Sequence, residues 1–146
     1  MKKIELYWKG PYSIEDVEEN EAFEDIGVYQ IYGSHPVYGS DSLLYIGHTK
    51  QKLKKRLCDE MKCEYPWWLR TGGEIRIYIG KMEKEKSDEK LIEVAEKLLI
   101  VSHMPATNAS NIKNSTLDDD YHLMNFGYYN RLLPEVTSPR WFYDVE

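Results

Sequence analysis

The cleanest alternation in the chain is Glu74-Ile75-Arg76-Ile77-Tyr78-Ile79-Gly80, where every second side chain is isoleucine, and it predicts a strand. Gly27-Val28-Tyr29-Gln30-Ile31-Tyr32 is β-branched and aromatic and predicts another, with Val28, Gln30 and Tyr32 on one face and Tyr29 and Ile31 on the other. Between it and the apolar run Leu43 to Ile46 lies Gly33 to Ser42, rich in turn residues, so the two runs are expected to form a long antiparallel hairpin. Such a hairpin brings Tyr29 and Tyr45 onto adjacent strands. Upstream, Ile4 to Trp8 reads as a short strand ended by Gly10-Pro11, and Ser13 with Asp16 reads as the cap of a helix over 14–20.

Helical spacing appears in two further stretches. Leu53, Leu57 and Met61 recur every four residues, which predicts a helix opening near Lys50 after a turn at Gly47, with Thr49 as its N-cap. Lys50, Lys52, Lys54 and Lys55 crowd its outer surface, and Arg56 falls at the margin of the buried stripe, where a guanidinium can be aimed inward. The second helix runs from Asp88 to about His103, with Ser87-Asp88 supplying its cap. Its apolar arc is Leu91, Ile92, Val94, Ala95, Leu98 and Leu99, and Glu96 lies about 40° beyond Ile92, at the edge of that arc. A carboxylate there is either a snorkelling surface group or a polar group facing a cleft. Met104-Pro105 ends the helix, Asn108 follows in a turn-like run, and Tyr121 to Leu133 is apolar enough to pack as a hairpin or strand.

Composition narrows the picture. At 146 residues the chain reads as one domain, able to build a core without disulfides or metal. Cys58 and Cys63, five apart around one expected helix, read as reduced thiols. No stretch of eighteen apolar residues occurs and the N-terminus runs into charge at once, so no membrane segment is expected and the expected location is cytoplasmic. The net charge of −6 argues against a polyanionic partner, but its distribution does not. Residues 50–81 carry nine basic against four acidic side chains, and residues 1–26 carry three against eight. That dipole can focus a phosphate backbone on one face, while the plainer reading of the lysines is a solvated helix surface.

The order Gly27-Val28-Tyr29, Tyr45-Ile46-Gly47, Thr49, Leu53 with Arg56-Leu57, Glu96 within Ala95 to Ile100, and Pro105 with Asn108 resembles the GIY-YIG nuclease superfamily, metal-dependent phosphodiesterases. The resemblance spans Gly27 to Asn108. It implies an α+β fold, a small central antiparallel three-stranded sheet flanked by helices, over 27–108, with an acidic N-terminal extension over 1–26 and a C-terminal extension over 109–146 packed on the same domain. The hairpin between the two triplets is several residues longer than the family's, and Glu60 stands where many members have a histidine or tyrosine one turn after the arginine. A carboxylate beside a scissile phosphate repels it unless it turns away or binds metal.

By resemblance, Glu96 would hold one Mg²⁺ or Mn²⁺ ion, Arg56 would steady the developing charge, and Tyr29, helped by Tyr45 and His48, would act on the attacking water. Gly27, Gly47, Thr49 and Asn108 would support the site, and Lys50, Lys52, Lys54 and Lys55 would bind the backbone of DNA, with RNA an open alternative. Cutting both strands would take two subunits or two encounters, and a homodimer or a host protein partner stays open. The rival expectation is a module of the same shape that binds nucleic acid or a protein without cleavage.

Overall fold

A computed structural model of the chain describes residues 1–13, 16, 26–49, 75–105, 117 and 119–138. Six strands are formed by these residues: β1 (Lys2–Tyr12), β2 (Gly27–His35), β3 (Gly39–Thr49), β4 (Arg76–Lys81), β5 (Tyr121–Gly127) and β6 (Glu135–Thr137). They make one sheet in the order β3-β2-β4-β1-β5-β6. Neighbours are antiparallel except β1 and β5, which run parallel from Lys2↔Tyr121 to Trp8↔Gly127. Helix α1 (Glu89–His103) follows a single 3-10 turn at Lys84–Lys86.

The expectation of a three-stranded antiparallel sheet flanked by helices is therefore corrected to a six-stranded mixed sheet, and the chain is mostly β. The strands expected at 27–32, 43–46 and 74–80 are present as β2, β3 and β4. They form only half of the sheet, because β1 from the N-terminal segment and β5 and β6 from the C-terminal segment bury the same kind of face. In β1 the alternation Ile4, Leu6, Trp8 points inward, and Tyr121, Leu123 and Asn125 do so in β5. Trp8 is fully packed yet satisfied, since its indole N–H donates to Asn125 Oδ1 at 2.8 Å, and Asn125 Nδ2 donates to the Leu133 carbonyl at 2.8 Å.

Registry fixes the two faces. Val28, Tyr32, Ile46, Tyr78 and Trp8 share one face and pack on Ile92, Ala95, Leu98 and Leu99 of α1. On the opposite face Tyr29, Ile31, Leu44, Ile75, Ile77 and Ile79 form a second buried apolar layer over β2, β3 and β4. That opposite face continues across β1 and β5 as Lys3, Tyr7, Lys9 and Phe126, which are exposed.

The α1 expectation holds within a residue: Asp88 is the N-cap and accepts from the Lys90 N–H at 2.8 Å, and Met104 ends the helix in the left-handed region at φ 47°. Ser13 and Asp16 exchange the two hydrogen bonds of a capping box, Asp16 N–H to Ser13 Oγ at 3.3 Å and Ser13 N–H to Asp16 Oδ2 at 2.8 Å. The expected helices over 14–20, apart from Asp16, and from Lys50 onward lie outside the described residues.

Candidate functional site

β3 carries a charged cluster at each end, and the site is built from the one at its C-terminal end. The strand runs through Gly47 and His48 to Thr49, so Gly47 is not the turn expected there but a strand residue paired with Tyr29. Its lack of a side chain has a different cause. A Cβ at Gly47 would stand 2.5 Å from Tyr29 Cζ and Oη and 2.7 Å from Tyr45 Cε1, so the glycine makes room for the tyrosine pair. Tyr29 and Tyr45 meet as expected, ring centroids 5.9 Å apart and inclined by 34°. Tyr29 is fully buried.

His48, paired with Val28, projects from the other face, toward α1. There its Nδ1 meets Glu96 Oε2 in an ion pair, and its Nε2 lies 3.8 Å from Glu93 Oε1. Glu96 and Glu93 are one helical turn apart, so both carboxylates converge on the ring from a single element. The Glu96 side chain is 14% exposed, which decides between the two sequence readings: it faces the sheet and is not a snorkelling surface group. A carboxylate oxygen therefore stands near each ring nitrogen of His48.

Of the expected site residues, then, the structure brings His48 and Glu96 together on the helix face and Tyr29 and Tyr45 together on the opposite face. Gly27 opens β2 opposite Thr49 at the same end of the hairpin. Arg56, Lys50, Lys52, Lys54, Lys55 and Asn108 lie outside the described residues, as does the Thr49 side chain. Among the described residues no group of three or more histidine, cysteine, aspartate or glutamate side chains is arranged to hold a metal ion. The donors on hand for a hard divalent cation are the Glu96 and Glu93 carboxylates, whose oxygen chemistry suits an ion that keeps most of its water.

The cluster at the other end of β3 was missed by sequence reasoning. Asp41, at φ 57°, accepts from Arg76 Nη2 and from Arg131 Nη2, the latter at 3.3 Å. Arg76 lies over the rings of Tyr32 and Tyr78, 5.7 and 5.9 Å from their centroids, and donates to Tyr78 Oη at 3.2 Å. Tyr32 in turn donates to buried Gln30 Oε1 at 2.5 Å and accepts from the Arg131 backbone N–H at 3.4 Å. Burial pushes the Tyr32 phenol up to about 12, with the Arg131 backbone bond and charge opposing. One sign of this cluster was legible: Arg76 shares the parity of Tyr78, a core-facing position, where a guanidinium needs partners.

Near the end of α1, His103 Nε2 accepts the Leu133 N–H at 2.7 Å while Nδ1 faces the Leu99 carbonyl at 2.9 Å. That pattern requires the neutral ring, and burial lowers its pKa against the Leu99 contact. Comparison with protein-family models, curated proteins and solved structures finds no match to this chain.

Proposed function

We propose that the protein is a metal-dependent endonuclease that hydrolyses phosphodiester bonds in DNA, with its working groups at the C-terminal end of β3. The carrying observation is that His48 and Glu96, 48 positions apart and each named from the family resemblance, face one another there, immediately before the basic run Lys50 to Arg56. A water attacks phosphorus in line and the 3′ oxygen leaves. The Glu96 carboxylate lies against His48 Nδ1, where it would orient the ring and leave Nε2 as the nitrogen that exchanges a proton with the water or the leaving oxygen. Arg56 offers a two-pronged donor to the non-bridging oxygens, and Lys50, Lys52, Lys54 and Lys55 hold the strand. Glu96 and Glu93 would hold one hydrated Mg²⁺ or Mn²⁺, which supplies charge stabilisation at the leaving oxygen.

Tyr29 and Tyr45 take a packing role in this reading, because they occupy the opposite face. The test is magnesium-dependent nicking of supercoiled plasmid, abolished in Arg56→Ala and Glu96→Gln chains that retain the native circular dichroism spectrum. No cleavage of DNA or RNA by the unaltered chain refutes the reading. One observation favours the rival, a module that binds nucleic acid without cutting: the tyrosine pair, with Tyr29 fully buried, lies on the sheet face away from Glu96. Salt-dependent DNA binding with neither cleavage nor a metal requirement would select it.

A further inference from the structure

On the face away from α1, β1 and β5 present a flat aromatic pair to solvent. Tyr7 and Phe126 stand opposite one another in the parallel β1–β5 register, with centroids 5.3 Å apart and ring planes within 19°. They are 39% and 40% exposed, although aromatic side chains of that size bury when the fold lets them. Position alone explains the pairing but not the exposure: the same face is covered over β2, β3 and β4 and is open here.

Two features define what fits. Each ring borders its own cleft: one of about 290 Å³ is lined by Tyr7, Met82, Lys3, Lys86, Glu5 and Glu83, the other of about 460 Å³ by Phe126, Met124, Leu133, Pro134 and Glu135. A planar group entering either cleft would extend a stack that the two rings have already begun. Within the Tyr7 cleft the charges balance, Lys3 and Lys86 against Glu5, which accepts from Tyr7 Oη at 3.1 Å, and Glu83, 3.9 Å from Lys86 Nζ. The cationic border is the β1–β4 side, where Lys81 stands directly across from Tyr7 and Lys9 follows two residues on along β1. Stacking surface beside ammonium groups is what an unpaired base and its phosphate require, since every base has a π face and every linkage a negative charge. Duplex DNA hides the base faces and gains nothing from the rings.

The geometry points to Tyr7 and Phe126 as a stacking platform for single-stranded nucleic acid, with Lys9 and Lys81 contacting its phosphates. The inference rests on the nucleic-acid reading of the previous subsection but not on cleavage. It places an unpaired strand on the sheet face opposite His48 and Glu96, so the platform selects substrates with a single-stranded flank or flap.

The test is fluorescence anisotropy of a labelled oligothymidylate about 15 nucleotides long, titrated with the full chain in EDTA, beside a duplex of equal length. Removing either ring, as Tyr7→Ala or Phe126→Ala, is expected to weaken oligothymidylate binding about tenfold with duplex binding unchanged, and Tyr7→Phe is expected to bind as the unaltered chain does. Lys9→Gln with Lys81→Gln should flatten the dependence of affinity on salt. Thermal melts establish that each variant is folded. Alanine variants that bind oligothymidylate as tightly as the unaltered chain overturn the platform, as does an unaltered chain that binds only duplex or only a protein. If plasmid nicking is absent while the rings still govern single-strand binding, the nuclease reading fails and this inference stands. Nicking with ring-independent binding gives the reverse.

Discussion

The two ends of β3 gather opposite sets of side chains. At Gly47–Thr49 an imidazole, His48, stands between two carboxylates, and near Gly39 a carboxylate, Asp41, is held between two guanidinium groups. The difference lies in what can change. Arginine does not lose its proton in a protein, and Arg76 is laid on two aromatic rings, so the two guanidinium groups at the Asp41 end keep their charge and tie the hairpin to the loop 128–134. Histidine changes charge near neutral pH, and its partners at the other end are flexible carboxylates on a helix. Chemistry is therefore expected at the His48 end and anchoring at the Asp41 end.

Exchanging charge at the two ends should separate these roles, and it carries the largest effect. Glu96→Gln is expected to reduce plasmid nicking by about 10²-fold or more with little loss of stability, because it keeps the shape and removes the charge that orients His48. Asp41→Asn should do the converse, lowering the thermal midpoint while leaving nicking within about twofold, with a stability loss of about 1 kcal/mol. Measuring nicking rate and melting for both variants breaks the comparison if the effects are swapped or equal.

Gly47→Ala comes next. The added methyl would press on the Tyr29 ring, which is buried and cannot swing into water, so a loss of about 1–3 kcal/mol is expected in urea unfolding. An unchanged urea midpoint would show that the ring yields freely and that the tyrosine pair is loosely held.

Strand positions were legible because alternation is a local signal: β2, β3 and β4 fall where the apolar periodicity puts them, and Asp88 caps α1 one residue from the expected start. The parallel pairing of β1 with β5 was not, since it joins segments more than a hundred residues apart and leaves no mark in either. The site was half legible. Glu96 and His48 were both named as candidates from the family resemblance, but reading Gly47 as a turn left the direction of His48 open. Because β3 runs on to Thr49, the period of two sets His48 opposite Tyr45, three residues earlier. Glu93 went unnoticed, as a surface-looking helix residue whose value comes only from the ring it meets.

A second histidine sharpens the contrast with His48. His103 accepts a backbone N–H and is partly buried, and desolvation lowers its folded pKa below the ordinary 6.5. The unfolded chain then binds the proton more readily than the folded one. Its contribution is complete above pH 6.5 and is lost as pH falls toward the folded value, with a slope of at most about 1.4 kcal/mol per pH unit. His103→Gln retains an acceptor for Leu133 N–H and does not titrate, so its urea midpoint should fall less than that of the unaltered chain between neutral and mildly acidic pH. Parallel curves for the two chains would show that His103 does not titrate in this window.

Arg131→Ala should have the smallest effect, and its smallness is informative. The Arg131 guanidinium and Asp41 are 54% and 44% exposed, and an ion pair so wet, with the side-chain entropy it costs to hold, is worth about 0–1 kcal/mol. The contact of Arg131 with the core is made by its backbone N–H to Tyr32 Oη, which alanine keeps. Arg76→Ala removes a guanidinium lying over two rings and bonded to Tyr78, so it should cost more than Arg131→Ala, and the double variant should cost nearly the sum unless Asp41 couples them. A double-mutant cycle in urea measures that coupling. A coupling near zero makes Asp41 a bridge between two independent anchors, whereas one above about 0.5 kcal/mol makes the triad a single unit that pins hairpin to loop.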